Sequence, residues 1–350
     1  MKKILNLEIP DTDYFYAPPM AYMLSVLNTF GKSNEKVMLW IISNFIDICI
    51  DINLCSLDIP DGSLVYEEYF RQELWYGCPF ISSMDLNADF VRKISEGNFT
   101  ELVKMALELD YFVYADLNRK YIPNYNQDRD VQHNLLIYGY DEEEKIMNIA
   151  DYFRNHRFTK EVCQFSNIDQ AYKYMYRVFD YEKFSYVNLF RYRSDTNFEF
   201  SIDEVKRKLI DYIEGTNLMR KYHYQFFGFE YQNSKEIYYG ITYYDALIEI
   251  LHKDKIFTPK TIQLLVSNKM IMKKRIELLN ENIIDKEKFK CESERLLKET
   301  VKLRNLILKL NLRNASNKIL DLKEKNNVSE RIKLLKEQDY ILTRSLLENI

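Results

Sequence analysis

The residues whose types and spacing suit chemistry best are His133 and Asp151. His133 opens the run His133-Asn-Leu-Leu-Ile-Tyr-Gly-Tyr140, and Asp151 closes Lys145-Ile-Met-Asn-Ile-Ala-Asp151. Between them lies the acidic turn Asp141–Glu144. Aromatic and β-branched residues bounded by turn formers read as a β-hairpin. With an odd number of turn residues, His133 and Asp151 are cross-strand partners on one face, their Cβ atoms about 5 Å apart. An even number puts them on opposite faces. On one face, the carboxylate orients the imidazole and stabilises its protonated form, which a cysteine or serine nucleophile requires of its base. The same pair equally serves plain structural hydrogen bonding, the commoner employment of a strand-end histidine.

A nucleophile for that base is harder to find. The five cysteines form no CxxC pair, so neither a zinc ribbon nor a dithiol redox motif is available. Cys78, in Trp75-Tyr-Gly-Cys-Pro79, has the most unusual setting, although a free cysteine is usually a small interior residue. The same interior reading applies to Cys55, Cys163 and Cys291, and Cys49 reads as a small residue on the polar register of a strand. His156, His223 and His252 share no metal-binding spacing with a carboxylate. The chain lacks GxGxxG, GxxxxGK[ST] and GxSxG, which removes dinucleotide, P-loop and hydrolase-elbow chemistry.

Several elements must position the pair. Pro18 to Phe30 reads as a helix, with Met20, Met23, Leu24 and Leu27 at 3–4 spacing and Gly31 at its stop. A helix from Asn34 to Asn44 follows. Ile46-Asp-Ile-Cys-Ile-Asp-Ile-Asn-Leu54 alternates like a half-buried strand. Asn98–Leu109 reads as a helix, and Tyr111–Asp116 as a strand entering an irregular loop, Asn118–Arg129. Helices are expected at Asn167–Phe179 and Ser201–Glu214, the latter opening with the capping-box pattern Ser201-Ile-Asp-Glu204. Beyond Tyr243 the text is almost wholly helical, with Thr258-Pro259 as an N-cap followed by proline. Its apolar stripes keep no long heptad, which favours a bundle over a coiled coil. Strand-like text ends near Asp195.

Composition narrows the class. At 350 residues with 47% apolar and 29% charged residues the chain is globular, long enough for two domains and a sizeable core. The N-terminus lacks a signal-peptide core, and the apolar stretch Val37–Leu54 is broken by polar residues too often to span a bilayer. The expectation is a soluble, reduced, cytoplasmic protein without membrane contact. The net charge of −4 hides an asymmetry. Residues 253–350 carry 23 Lys and Arg against 14 Asp and Glu, a balance of +9 on an otherwise acidic body. That third therefore suits an acidic partner or is simply a solvated helical surface. The acidic whole argues against nucleic acid. The 28 Tyr and 21 Phe, dense at 222–231 and 238–244, suit an acyl tunnel, an aromatic-stacking wall or ordinary core.

The stretch Asp116…Tyr121-Ile-Pro…His133…Tyr138-Gly-Tyr-Asp141…Asp151 resembles the butirosin-biosynthesis protein H N-terminal family, and Tyr239-Gly-Ile241…Asn268–Ile276 resembles the helical region that commonly follows it. The resemblance implies an α+β architecture. A papain-like, transglutaminase-like domain with an antiparallel sheet would occupy 1–195, and an all-α helical domain 196–350. It also implies an acyltransferase or amide synthetase of thiotemplated natural-product assembly, as in butirosin or closthioamide biosynthesis. A cysteine at the start of the first helix would take an acyl group from a carrier-protein thioester and pass it to a small amine. No cofactor is implied beyond the phosphopantetheine of the acyl or peptidyl carrier protein. By this resemblance His133 is the general base and Asp151 its orienting partner. The nucleophile's place falls in Ala17-Pro-Pro-Met-Ala-Tyr-Met23, at Ala21, and no Cys, Ser or Thr lies between Tyr14 and Leu24. Three readings stay open: an engineered Cys→Ala replacement, a natural pseudoenzyme that binds acyl carriers, or a nucleophile from elsewhere such as Cys78. A cysteine peptidase is a further alternative. The basic third, with Lys273, Lys274 and Arg275, would be the carrier's dock.

Overall fold

The computed structural model describes residues 1–9, 18–31, 34–58, 78–95, 97–153, 158–175, 186–217, 236–279, 285–315 and 321–350. In chain order the strands are β1 (Lys2–Ile4), β2 (Cys49–Asp51), β3 (Ser56–Asp58), β4 (Ile81–Asn87), β5 (Phe112–Asn118), β6 (Gln132–Asp141), β7 (Ile146–Tyr152), β8 (Phe158–Gln164), β9 (Tyr186–Tyr192) and β10 (Ile237–Tyr239). The helices are α1 (Pro18–Gly31), α2 (Glu35–Asn44), α3 (Ala88–Ser95), α4 (Phe99–Glu108), α5 (Phe165–Lys173), α6 (Ile202–Glu214), α7 (Tyr243–His252), α8 (Pro259–Leu278), α9 (Lys286–Ala315) and α10 (Leu322–Asn349). The protein is α+β. Among the described residues no helix is long and apolar enough to cross a membrane.

Two compact units share the chain. The first takes residues 1–12, 17–34 and 73–198, and the second 13–16, 35–72 and 199–350. The chain thus returns to the second unit at 35–72 before the segment near Asp195.

The first unit is built on a seven-stranded antiparallel sheet ordered β4-β9-β5-β6-β7-β8, with β1 also paired to β6. Successive strand residues face opposite sides, and all seven of β5 are buried, so both faces are covered at the sheet's centre. Helix α4 shows how: Phe99, Leu102, Val103, Ala106 and Leu107 recur at 3–4 spacing and are buried. On β6, Gly139 lets β1 approach closely; a Cβ there would stand 2.8 Å from the Lys3 carbonyl oxygen.

The second unit is not all-α. Its helices accompany a three-stranded antiparallel sheet, β10-β2-β3. Only Cys49–Asp51 of the expected strand at 46–54 is paired, and Ile46 to Ile50 are buried on both registers. Asp47 and Cys49 on the polar register are buried, whereas Asp51 and Asn53 reach the surface. Helix starts follow their caps: Ser201 accepts from the Glu204 N–H, and Thr258 from the Thr261 N–H. At the unit's centre the buried Lys269 ammonium meets the buried Asp339 carboxylate, which also accepts from the Tyr212 and Tyr244 hydroxyls.

Candidate functional site

His133 and Asp151 meet because of a β-bulge. The connection between β6 and β7 is four residues long, which by itself would leave the two on opposite faces. Pairing runs Asp141↔Ile146, Tyr140↔Met147 and Gly139↔Asn148, then shifts to Ile137↔Ile149 and Leu136↔Ala150. Tyr138 is the extra residue. A one-residue slip moves a strand's side chains to the other face, so the bulge returns His133 to the side of Asp151. Continued by one step, the register sets Asp151 opposite Leu135, and His133 is its diagonal neighbour, not its direct partner.

His133 Nε2 lies 2.8 Å from Asp151 Oδ2, the imidazole partly exposed and the carboxylate wholly buried. Nε2 faces the carboxylate oxygen, the side on which an N–H donor suits it. The approach is bent, and Nε2 makes no well-angled hydrogen bond. Nδ1 remains as the ring nitrogen available to exchange a proton.

A buried carboxylate needs donors, and two tyrosines supply them. Tyr22, in the early turns of α1, donates its hydroxyl to Asp151 Oδ1 at 2.8 Å and lies 2.9 Å from the Asn134 carbonyl oxygen. Tyr125 donates to Asp151 Oδ2. Burial first, and then the Asp151 charge, hold both phenols well above their usual range, so both are donors at neutral pH. Tyr125 reaches the site because the chain leaving β5 makes two 3-10 turns, Arg119–Tyr121 and Pro123–Tyr125, pinned by the Arg119 N–H on the Val131 carbonyl at 2.8 Å. The Tyr125 ring stands edge-on to the imidazole at 5.5 Å, and the Arg119 guanidinium lies over the same ring at 4.4 Å. Beside them Asn134 donates to Asp116, its cross-strand partner.

Ala21, fully buried in α1, directly precedes Tyr22. The helix N-terminus, Ala21, Tyr22, His133 and Asp151 all belong to the first unit. Neither a family model nor a curated protein matches the chain. What the site can do is therefore argued from its own geometry.

Among the described residues no hydrogen bond joins Cys78 to His133 or Asp151. Cys78 is buried, and burial pushes its thiol up to about 12. Cys163 is held at about 12 for the same reason, and Cys49 and Cys55 are also buried. Only Cys291 is exposed, on α9 of the second unit. Among the described residues no cluster of three His, Cys, Asp or Glu could hold a metal. His252 meets Ser329 Oγ at 3.1 Å, while His156, His223 and the aromatic run 222–231 lie outside the described residues.

The expected basic dock needs correcting. Arg275 is buried, its guanidinium bonded to the Ile42 and Phe45 carbonyls at 2.7 and 3.1 Å. Lys273 pairs with Glu277 and Glu294, and Lys274 with Glu277, so this triplet presents no open positive patch. Three site residues carried no sequence signal: Tyr22, Tyr125 and Arg119. A buried aspartate's need for donors, once its burial is known, points to the tyrosines.

Proposed function

We propose that the first unit is a papain-like acyl-transfer domain, acting on a thioester delivered by an acyl or peptidyl carrier protein and forming an amide with a small amine. The carrying observation is His133 Nε2 facing the tyrosine-held Asp151, with Nδ1 left over and an early turn of α1 reaching the pair through Tyr22. A thiol at position 21 would sit near a helix N-terminus, where the dipole favours the thiolate. It would attack the thioester carbonyl, and the carrier's thiol would leave with a proton from the His133 imidazolium. The amine would then attack the acyl-enzyme, losing its proton to His133 as the sulfur at position 21 departs. Backbone N–H groups of the same turn are the natural oxyanion donors. Bent contacts like that of Nε2 commonly straighten only when a reactant is bound. A carrier-borne substrate is consistent with a cytoplasmic setting.

The test is Ala21→Cys incubated with an acyl-carrier thioester and followed by intact mass. A gain of one acyl group that disappears when His133→Gln is added supports the proposal. A folded Ala21→Cys protein that takes up no acyl group overturns it. The second reading, a non-catalytic module that binds acyl carriers, is favoured by the alanine at 21 itself. It predicts carrier binding by the wild-type protein and no adduct on any variant. Hydrolysis of peptides by Ala21→Cys would instead indicate a cysteine peptidase.

A further inference from the structure

The Arg119 guanidinium, near the His133 site, packs on Tyr125 but leaves a donor unused. Its Nε is buried without a hydrogen bond, and among the described residues no carboxylate pairs with it. Asp151 and Asp130 are already engaged. Asp151 is taken by Tyr22, Tyr125 and His133, and Asp130 accepts from Asn118 at 2.9 Å and lies 3.6 Å from Lys120. The guanidinium instead lies over the Tyr125 ring at 4.4 Å, and the same ring meets the imidazole at 5.5 Å and Phe153 at 5.0 Å. A half-buried cation with unmade hydrogen bonds is unfavourable unless something fills them.

We infer that Arg119 is an anion-binding subsite and that the substrate His133 acts on carries a carboxylate within a few bonds of its reacting atom. Held over Tyr125, the guanidinium keeps N–H donors of the kind that receive a planar anion in pairs. Carboxylate fits better than phosphate. A single guanidinium matches a single negative charge, and Lys120, the next residue, is drawn toward Asp130. The inference rests on His133 being the reactive group, and gives that reaction a substrate class: an acyl donor or an amine bearing a carboxylate.

The experiment uses wild-type protein and no turnover, so a failed acyl transfer leaves it standing. With only four histidines in the chain, the His133 ring signals can be assigned by NMR from the His133→Gln spectrum. N-acetylglycine and its neutral isostere N-acetylglycinamide are then titrated separately. The expected result is a saturable His133 shift with N-acetylglycine, and binding about ten-fold weaker with the amide, as for loss of one charge-assisted hydrogen-bond pair. Arg119→Gln should lose that preference and Arg119→Lys should keep part of it. Equal responses to the two probes, no saturable shift with either, or an unchanged preference in Arg119→Gln would overturn the assignment. Tighter binding of methyl phosphate than of N-acetylglycine would overturn the choice of carboxylate. Should Arg119→Gln fail to fold, the two probes on wild type and on Arg119→Lys decide the matter.

Discussion

The Tyr22 hydroxyl and the Asp151 carboxylate, 129 residues apart in sequence, are joined by a buried hydrogen bond of 2.8 Å that ties α1 to β7. The same hydroxyl lies 2.9 Å from the Asn134 carbonyl on β6, so one side chain links the helix to both strands of the hairpin. Tyr22→Phe keeps the ring's contacts with Tyr114 and Phe158 but removes one donor from a fully buried charge. Hydrogen bonds to charged groups are worth about 1.5–3 kcal/mol, so urea unfolding should shift by about that amount with an unchanged slope. A shift below about 0.5 kcal/mol would mean that Asp151 does not depend on Tyr22.

Alkaline pH tests the tyrosines as a class. Tyr22, Tyr125, Tyr212, Tyr243 and Tyr244 are all held well above their ordinary value, first by burial and then by neighbouring Asp151 or Asp339. A folded-state value above the unfolded one gives stability that is complete below the ordinary tyrosine range near about 10 and is lost as pH rises beyond it. Absorbance of tyrosinate should therefore appear in two stages. Exposed phenols ionise reversibly, and the buried set ionises only together with loss of near-UV circular dichroism. A single reversible step with the fold intact would contradict this environment.

How far the site could be read from sequence turns on Tyr138. The hairpin, its turn and the two chemical residues are legible, because period-2 patterning and turn formers are local signals. The bulge is not, since one extra residue in β6 leaves the composition of the strand unchanged, yet it alone decides whether His133 and Asp151 share a face. Helices α6 and α8 follow their caps and α4 its apolar spacing, whereas β4, with its text Ile-Ser-Ser-Met-Asp-Leu-Asn, is made a strand by its seven-residue pairing with β9. Arg275 illustrates the converse failure. A Lys-Lys-Arg run looks like a surface patch, but the arginine points inward, where the Ile42 and Phe45 carbonyls at the end of α2 accept its donors.

Four of the five cysteines are buried and one, Cys291, is exposed. Cys78 and Cys163 are held at about 12, leaving a negligible thiolate fraction at neutral pH, and Cys49 and Cys55 are buried as well. Native protein treated with iodoacetamide should take one label promptly, at Cys291, and the other four only on unfolding. Ala21→Cys, if activated as proposed, adds a second label whose rate falls on replacing His133 with Gln. Prompt labelling of Cys78 in the wild-type protein would reopen its candidacy.

The buried Lys269–Asp339 pair in the second unit gives a prediction whose sign depends on pH. Lys269→Met leaves the Asp339 carboxylate with only Tyr212 and Tyr244 as donors, and breaking such a pair costs about 3–5 kcal/mol. Asp339→Leu instead leaves a buried ammonium that can shed its proton. Burial already lowers the Lys269 value, and loss of the Asp339 charge, which opposes that shift, lowers it further. In the window between the depressed folded value and the unfolded value of about 10.4 the unfolded chain binds more protons, so stability rises with pH. Asp339→Leu should therefore be nearer to wild type at pH 9 than at pH 7 in urea titrations, while Lys269→Met shows no such recovery. The double replacement Lys269→Met with Asp339→Leu should be milder than the sum of the two single ones, because it strands no charge. A pH-independent deficit in Asp339→Leu would show that Lys269 stays charged there, held by the Tyr212 hydroxyl at 2.9 Å and Asn268 Oδ1 at 2.8 Å.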